Sequence, residues 1–349
     1  MSSASRQIAC SILKPGVVWS YQSSVKLLKE PIVILMSEKR PKSSELRLQQ
    51  LRSFCETARL GSLTAAANSL GLTQPTIGEQ VHALEREFGE KLVETHGRGC
   101  RLTEAGQVLA TLAGPLIAGI DSLKAGFYET RQKQRSRITV AGSPRVLAED
   151  ILDCLPDFDR QFPGSQVTCM EMHVESVAEA VQSGRADLGL TLAAVIDRNS
   201  PWLEIEEGYE LDVLLITPQD HPLAKRKTIT LADIAEFPVV NGGNTIGDPA
   251  VNEALKKAGV FNNRTCRVEA TYTAAVRRFV EQGFGVGLVY GLPGRPAAQK
   301  LHERSISQYV GRIRIDLVWR RGAIKQQLSR AFADAVKESM RRKREEIQA

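Results

Sequence analysis

Residues 62–82 constrain the fold of this chain more than any other segment. Two short helical patterns meet there at Gly71, which supplies the left-handed backbone that a tight turn needs. Ser62 is suited to cap the first helix and Thr73 the second, while Pro75 fits a first helical turn. Two short helices joined in this way predict a helix-turn-helix, which presents its second helix to the major groove of DNA.

The flanking segments extend this unit. Apolar residues from Leu48 to Ala58 recur at helical spacing and predict a further helix before the pair. After Gly89, two strand-like pieces surround the tip Gly97-Arg98-Gly99. This pattern predicts a hairpin, or wing, beside the helices.

A long helix is predicted to follow the wing from Thr103. Its apolar positions step by three and four residues, as in the seam of a coiled coil, so we expect a second copy of the chain to pair with it. Pro115 in its middle is expected to kink the helix or to divide it in two. The predicted seam consists of Leu109, Leu112, Leu116, Ile120, Leu123 and Phe127.

From residue 138 onwards, strand patterns alternate with helix patterns. Ile138–Ala141 is a predicted strand, Leu147–Phe162 a predicted helix and Ala186–Thr191 another strand, and a second set runs from Val213 to Tyr290. Such alternation predicts βαβ units and a parallel sheet. In sheets of this kind, ligands bind beyond the carboxyl ends of the strands.

Composition and charge exclude several classes of protein. The net charge is +6 over 349 residues, but segment 46–102 carries seven basic and six acidic side chains, so the pattern and not the charge indicates DNA. Six cysteines without metal-ligand spacing, and five histidines without a ligand pair, predict no metal, no cofactor and no enzyme. No stretch reaches the ~20 apolar residues of a membrane span, so we expect a cytoplasmic protein without a membrane partner. The aperiodic residues 1–45 are expected to be a disordered tail.

A dense and ordered set of residues runs through the first of these regions. It comprises Phe54 with Ala58, Gly61-Ser62, Ala65-Ala66, Leu70, Thr73-Gln74-Pro75-Thr76, Gln80, Leu84-Glu85, Phe88-Gly89, Leu92, Gly97-Arg98-Gly99 and Leu102-Thr103-Glu104-Ala105-Gly106. In this order the set resembles the DNA-binding end of LysR-type transcriptional regulators. Looser matches at Ala186–Leu190, His221–Ala224 and Gly283–Gly287 extend the resemblance over roughly residues 46–340.

The resemblance implies a fold and a function. The fold would be a multi-domain α+β protein with an N-terminal winged helix-turn-helix, a long linker helix and a C-terminal, two-lobed α/β effector domain similar to periplasmic binding proteins. The function would be transcription regulation as a homodimer or homotetramer that binds double-stranded promoter DNA, with a small-molecule effector between the lobes and RNA polymerase as a further partner. A solute receptor without a DNA function is the alternative, but it leaves residues 46–102 unexplained.

The expected domains follow from these patterns and from the resemblance. After the tail, residues 46–105 would form the DNA-binding domain, 106–136 the linker helix and 137–349 the effector domain. Within the effector domain, lobe I is expected over 137–208 and 288–340, and lobe II over 209–287.

Three positions depart from the pattern of the family. Val93 and Thr95 stand where Phe and Arg are usual, so one expected wing charge is missing, and Gly78 stands where Ser is common. Each lost phosphate contact is expected to lower DNA affinity and its dependence on salt.

Candidate DNA contacts lie at the helix starts and on the wing. Glutamine is suited to adenine and the proline face to a thymine methyl group, whereas hydroxyls and arginines suit phosphates. The alternative is that these side chains merely form a solvated helix face. The candidates are Ser62, Thr64, Thr73, Gln74, Pro75, Thr76, Gln80, Arg98 and Arg101.

Candidate effector contacts lie after the predicted strands. A strand that ends in Gly142-Ser143-Pro144-Arg145 just before a helix is a natural anion site, so we expect a small, anionic effector. Ordinary capping, and a loop that merely turns the chain, are the alternatives. The candidates are Ser143, Pro144, Arg145, Thr191, Asn241, Asn244 and Thr245.

Overall fold

A computed structural model describes residues 47–97, 99–130, 137–240, 247–262, 268–270, 272–294 and 300–348. The tail expected over 1–45 lies outside the described residues.

The first three helices form a compact unit around a small apolar core. They are α1 (Leu48–Leu60), α2 (Leu63–Leu70) and α3 (Gln74–Phe88). Ser62 and Thr73 cap α2 and α3, and glycines in the left-handed region, among them Gly71, end each helix. Phe54, Ile77 and Leu84 are fully buried between the helices. A hairpin of β1 (Val93–His96) and β2 (Gly99–Leu102) follows as the wing.

The linker helix α4 (Glu104–Thr130) is one continuous helix of 27 residues. The expectation that Pro115 divides it was wrong. Proline removes one backbone donor, but packing on both sides holds the neighbouring turns: the ring of Trp202 lies against Gly114, and the backbone of Gly322 lies against Pro115.

Helix α4 is also apolar enough to be compared with a membrane span. Glu104–Tyr128 has the length and the mean hydropathy, 1.4, of a spanning helix. One face, however, packs against protein, with Ala110, Ala113 and Ile117 in the apolar core of the first three helices. The apolar composition therefore serves protein contacts on that face.

The remaining strands form one mixed sheet. The strands are β3 (Arg137–Gly142), β4 (Gln166–Glu171), β5 (Leu188–Leu192), β6 (Leu203–Pro218), β7 (Gly287–Gly291), β8 (Leu301–Ser305) and β9 (Ile313–Arg320). Their order is β4-β3-β5-β9-β6-β7, with β8 also paired to β6. Strands β3, β4 and β5 are parallel, but β9 runs antiparallel to both β5 and β6, so the sheet is not the purely parallel one that the alternation predicted.

Helices and turns cover the sheet. The predicted helix over Leu147–Phe162 is instead a π-helical segment, Val146–Ile151, followed by a short α-helix. The remaining helices are α5 (Leu155–Gln161), α6 (Val177–Gln182), α7 (Pro222–Lys225), α8 (Leu231–Ala235), α9 (Pro249–Lys257), α10 (Thr273–Glu281), α11 (Ser307–Val310) and α12 (Gln327–Gln348).

Strand β6 connects two parts of this sheet. Its residues Leu203–Leu211 pair with β9, and we call them lobe I together with β3, β4, β5 and β9. Its residues Asp212–Pro218 pair with β7 and β8, and these form lobe II. From the sequence, lobe II is expected to end at residue 287 and lobe I to resume at residue 288. This boundary is too early, because both β7 and β8 pair with the lobe II part of β6.

Candidate DNA interface and effector site

The starts of α2 and α3 are built by side-chain caps. The Ser62 hydroxyl accepts a hydrogen bond from the amide of Ala65 at 3.3 Å, and the Thr73 hydroxyl accepts one from the amide of Thr76 at 3.3 Å. Thr73 and Thr76 also share a hydroxyl hydrogen bond of 2.9 Å. These caps orient the amides of both helix starts outward, where helix N-termini favour anions such as phosphate.

A shallow groove of about 330 Å³ lies between these helix starts and the wing. Ser62, Thr64 and Gln74, which the sequence nominated, line it together with Gly78 and Thr95. A Cβ added at Gly78 would meet nothing within 4 Å, so this glycine leaves open space on α3. All three positions that depart from the family pattern, Gly78, Val93 and Thr95, thus lie in the same groove as the nominated contacts.

Two other nominated side chains are engaged within the protein. The Gln80 carbonyl oxygen accepts a hydrogen bond from the buried Ser53 hydroxyl, because α3 packs on α1 at this position, so this acceptor is not free to contact a base. Arg101 on the wing donates to Glu94 at 2.5 Å. Its charge is therefore neutralised locally, while Pro75 is exposed and Arg98 lies outside the described residues.

The wing is attached to α3 through the carboxylate of Glu85. This carboxylate accepts hydrogen bonds from the amides of Leu92, at 3.1 Å, and Val93, at 3.4 Å. Lys91 and His82 lie 2.9 Å and 2.8 Å from the same group. Burial opposes the charge, but these partners outweigh it and lower the pKa of Glu85 to about 2.

Most of the predicted seam on α4 is exposed. Leu109 is the exception and a correction: it is only 8% exposed and packs in the core of the DNA-binding unit. The stripe that remains on the outer face consists of Leu112, Leu116, Ile120, Leu123 and Phe127, with Val108 at its start. An exposed apolar stripe of this length is typical of surfaces that contact another protein chain or a membrane.

The opposite face of α4 contacts lobe I of the same chain. Asp121 of α4 pairs with Arg52 of α1 at 2.7 Å and with Arg320 of β9 at 2.9 Å. Ser122 accepts a hydrogen bond from the amide of Ile324 at 2.8 Å. No sequence pattern indicates these contacts, since the residues that make them are up to 202 positions apart along the chain.

A cavity of about 490 Å³ lies beyond the carboxyl ends of β3 and β4. Lobe I contributes Ser143, Pro144 and Arg145, and Tyr272 and Tyr290 line the cavity from the side of α10 and β7. The Tyr272 hydroxyl lies 3.4 Å from Nε2 of His173, so the two sides of the cavity are in contact here. The full described lining is Ser143, Pro144, Arg145, Ala148, Glu149, Glu171, Met172, His173, Val174, Glu175, Leu192, Gly247, Tyr272, Thr273, Ala274 and Tyr290.

Arg145 is buried and paired within its own helical segment. One guanidinium nitrogen donates to Asp150 at 3.1 Å and lies 3.5 Å from Glu149, and the other donates to the second oxygen of Asp150. Burial opposes its charge, yet Asp150 holds the pKa of Arg145 above its usual range. The guanidinium also lies over the Tyr290 ring, 4.6 Å from the centroid.

Family models match both halves of the chain. The LysR substrate binding domain matches residues 131–341, and the bacterial regulatory helix-turn-helix protein, lysR family, matches residues 48–107. The chain belongs to the LysR family of transcriptional regulators. It is a DNA-binding transcriptional regulator with an effector-binding domain, and not an enzyme.

Curated relatives and solved structures agree with this family. The chain is 26% identical to the HTH-type transcriptional regulator CysB of Burkholderia cenocepacia over 254 residues, which is 72% of this chain and 80% of that protein. It is 28% identical to the RuBisCO operon transcriptional regulator of Allochromatium vinosum over 295 residues, 83% of this chain and 95% of that protein. The crystal structure of PA01 protein from Pseudomonas aeruginosa, assigned to the LysR family, matches at a TM-score of 0.51 and 21% identity over 84% of this chain and 99% of that one. This last likeness shows the fold alone.

The family settles the coarse expectations from the sequence. LysR regulators bind promoter DNA and small-molecule effectors and form oligomers. The expected fold, a winged helix-turn-helix followed by a two-lobed α/β effector domain, is confirmed.

The nominated effector residues of this LysR regulator fall into three groups. Ser143, Pro144 and Arg145 line the cavity, although the Ser143 hydroxyl also accepts from the amide of Val146 at 3.5 Å, as a cap would. Thr191 is buried and is not a described lining residue; its hydroxyl donates to the carbonyl of Val174, which lines the cavity, at 2.8 Å. Asn241, Asn244 and Thr245 lie outside the described residues.

The residues that sequence reasoning missed come from β4 and α10. Glu171 is the last residue of β4, His173 and Glu175 follow it in the chain, and Tyr272 precedes α10. The rule that ligands lie beyond strand ends could have found the residues after β4, because that strand is parallel to β3 and ends beside it. No group of three or more metal-ligating side chains occurs within the described ranges.

Proposed function

We propose that the cavity between the lobes is the effector site and that effector binding reaches the DNA-binding unit through α4. The observation that carries this proposal is the contact network of α4, which joins α1 to lobe I through Asp121. Lobe I supplies part of the cavity and also the residues that hold α4. A ligand that changes the angle between the lobes would therefore act on an element in direct contact with the DNA-binding helices.

The proposed DNA contacts are the groove residues Ser62, Thr64 and Gln74, with Pro75 beside them. The segment that carries them is barely basic, and the wing arginine Arg101 is paired with Glu94, so one copy should bind DNA weakly. Two copies joined along the exposed stripe of α4 would read two half-sites together. Pairing then supplies the affinity that a single copy lacks.

The expected anionic character of the effector has little support in the cavity. Arg145 is the one lysine or arginine among the described lining residues, and Asp150 and Glu149 already neutralise it. Glu171 and Glu175 add negative charge. A cytoplasmic location and a contact with RNA polymerase at the promoter are further parts of the proposal, and they rest on family membership.

Mapping of bound sites across the genome, followed by gel shifts on one mapped fragment, tests the DNA part. Gln74→Ala should weaken binding at least fivefold, since a glutamine that contacts a base contributes about 1–3 kcal/mol. Gln308→Ala, an exposed glutamine on α11, is the matched control and should bind as the wild type does. Equal affinities for both variants would remove Gln74 from the interface.

A further inference from the structure

We infer that the chain has a second small-molecule site at the junction of α1, α4 and lobe I, and that this site takes a small oxyanion of the phosphate type. A cavity of about 230 Å³ lies at this junction. It shares no described lining residue with the cavity between the lobes, so the inference goes beyond the proposed function and does not depend on it.

The charges that line this junction cavity do not balance. Two arginines of α1 and two at the end of β9 line it, but only two carboxylates do, Glu56 and Asp121. A third carboxylate, Glu179, lies 3.8 Å from Arg59, but it also lies 3.5 Å from Arg185. Counting this further pair leaves the excess at two positive charges among the described residues. An excess of this sign in a cavity attracts anions.

The arginines at the end of β9 leave much of this charge open. Asp121 is shared, since it lies 2.7 Å from Arg52 and 2.9 Å from Arg320. Arg321 has no carboxylate partner in the described part of the chain: its Nε and Nη2 donate to the Leu203 carbonyl at 3.0 Å and 2.7 Å. A carbonyl holds the guanidinium in place without neutralising it. The charge of Arg321 is therefore available to an anion.

Arg59 supplies a donor from the opposite side of the cavity. Its side chain is only 7% exposed, and its Nε and Nη2 donate to Glu56 at 3.0 Å and 2.7 Å. Its Nη1 has no hydrogen-bond partner among the described residues, because Glu179 at 3.8 Å is too distant. Unlike the Nε of Arg145, this nitrogen keeps contact with solvent, so a ligand oxygen can reach it. A largely buried arginine with a free N–H on a cavity wall favours an oxygen ligand.

The volume and the donors together set the class of ligand. About 230 Å³ is below the ~300–1,000 Å³ of sites for drug-sized molecules, so a ligand of a few heavy atoms fits. Guanidinium groups match the oxygens of phosphate in geometry as well as charge. A doubly charged, tetrahedral oxyanion offsets the excess of two charges and has oxygens for arginines on both sides. Bound there, it bridges α1 and lobe I and stabilises their packing.

Calorimetry on the full-length protein with inorganic anions tests the class. Phosphate and sulfate are titrated at pH 8 and at an ionic strength held constant with sodium chloride, and acetate is the singly charged comparison. We expect one phosphate or sulfate ion per chain, bound at least about tenfold more tightly than acetate. Acetate that binds as tightly, or no saturable binding of phosphate and sulfate up to about 10 mM, would overturn the inference.

Arginine variants locate the bound ion. Arg321→Gln and Arg52→Gln should each weaken phosphate binding about tenfold, the cost of one charge-assisted hydrogen bond. Arg160→Gln removes the same charge from α5, where the side chain is 78% exposed, and this control should leave the affinity unchanged. Full affinity in the double variant Arg52→Gln/Arg321→Gln would overturn the inference, because it would place the ion elsewhere, for example at Arg145.

Hydrogen exchange on the wild-type protein tests the bridge without any variant. Phosphate should slow exchange in the peptides that contain Arg59 and Arg321, which lie on opposite sides of the cavity. Peptides from α10 in lobe II are the control and should exchange at the same rate with and without phosphate. Slower exchange on one side only, on neither side, or equally in α10 would contradict a bridging ion at this junction.

Discussion

Replacing Glu85 by glutamine should loosen the wing from α3 while leaving the rest of the chain folded. The Glu85 carboxylate is 8% exposed and binds two wing amides and the Lys91 ammonium group. A glutamine keeps the shape and one acceptor oxygen, but it removes the charge. The Glu85→Gln side chain therefore resembles the protonated acid, and the pKa of Glu85 gives the size of the effect.

The magnitude follows from the shift of that pKa. A fall from the ordinary value of 4.5 to about 2 means that folding favours the charged form. At ~1.4 kcal/mol per pKa unit, the charged form contributes about 3 kcal/mol to the stability of the wing at neutral pH, as an upper figure. Because the pKa is lowered on folding, this contribution is complete above pH 4.5 and is lost as the pH falls towards 2.

Hydrogen exchange followed by mass spectrometry reads out this local stability. The peptide that contains Leu92 and Val93 should exchange faster in Glu85→Gln than in the wild type at pH 7, by up to about a hundredfold. At pH 3 the free-energy difference between the two proteins should be about 1.4 kcal/mol, less than half its value at pH 7. Glu87→Gln, an exposed position two residues further along α3, is the control. Equal exchange of this peptide in Glu85→Gln and the wild type at pH 7 would refute the role given to the carboxylate.

Three further changes test α4 and its contacts. Leu116→Glu, at a site 63% exposed, should dissociate the dimer in sedimentation experiments, whereas Leu152→Glu, 61% exposed in lobe I, should not. A dimer that survives Leu116→Glu would show that the stripe is not the dimer interface. Gly322→Ala should lower the free energy of unfolding by about 2–4 kcal/mol in urea, because its φ is +82° and a Cβ would lie 2.3 Å from the Pro115 carbonyl oxygen. Gly294→Ala, with φ of +79° and open space, should cost only about 1 kcal/mol, and equal losses would argue against the close approach. Asp121→Asn should weaken the contact between α4 and lobe I by about 1 kcal/mol, and it should reduce the effect of the effector on DNA binding in a gel shift. An unchanged effector response would show that Asp121 does not take part in the coupling.

The helix-turn-helix could be predicted from the sequence because the interactions that form it are local. Caps at Ser62 and Thr73, and the left-handed Gly71, act within a few residues of the chain, so their patterns survive in a single sequence. Long-range partners leave no such pattern. The hydrogen bond from Ser53 to Gln80 depends on how α1 packs against α3, and that packing decides which side chain is free.

The same limit applies to the charge of the proposed effector site. Gly142-Ser143-Pro144-Arg145 has the residue types of an anion site, and three of them do line the cavity. The sequence does not show that Asp150, five positions later, folds back onto Arg145, because the segment between them is π-helical and not a regular α-helix. One turn of unusual helix thus changes a free cation into a balanced pair.

Helix α4 makes the two halves of this regulator depend on each other. Its inner face packs against the DNA-binding core through Leu109 and contacts lobe I through Asp121, whereas the outer stripe is exposed and can contact a second copy. Any rotation of α4 that adjusts one of these contacts must also move the others, since one rigid helix carries all three. In the proposed dimer, the spacing of two half-sites on DNA and the position of lobe I would therefore be linked by geometry, and a ligand between the lobes would need no separate route to the DNA.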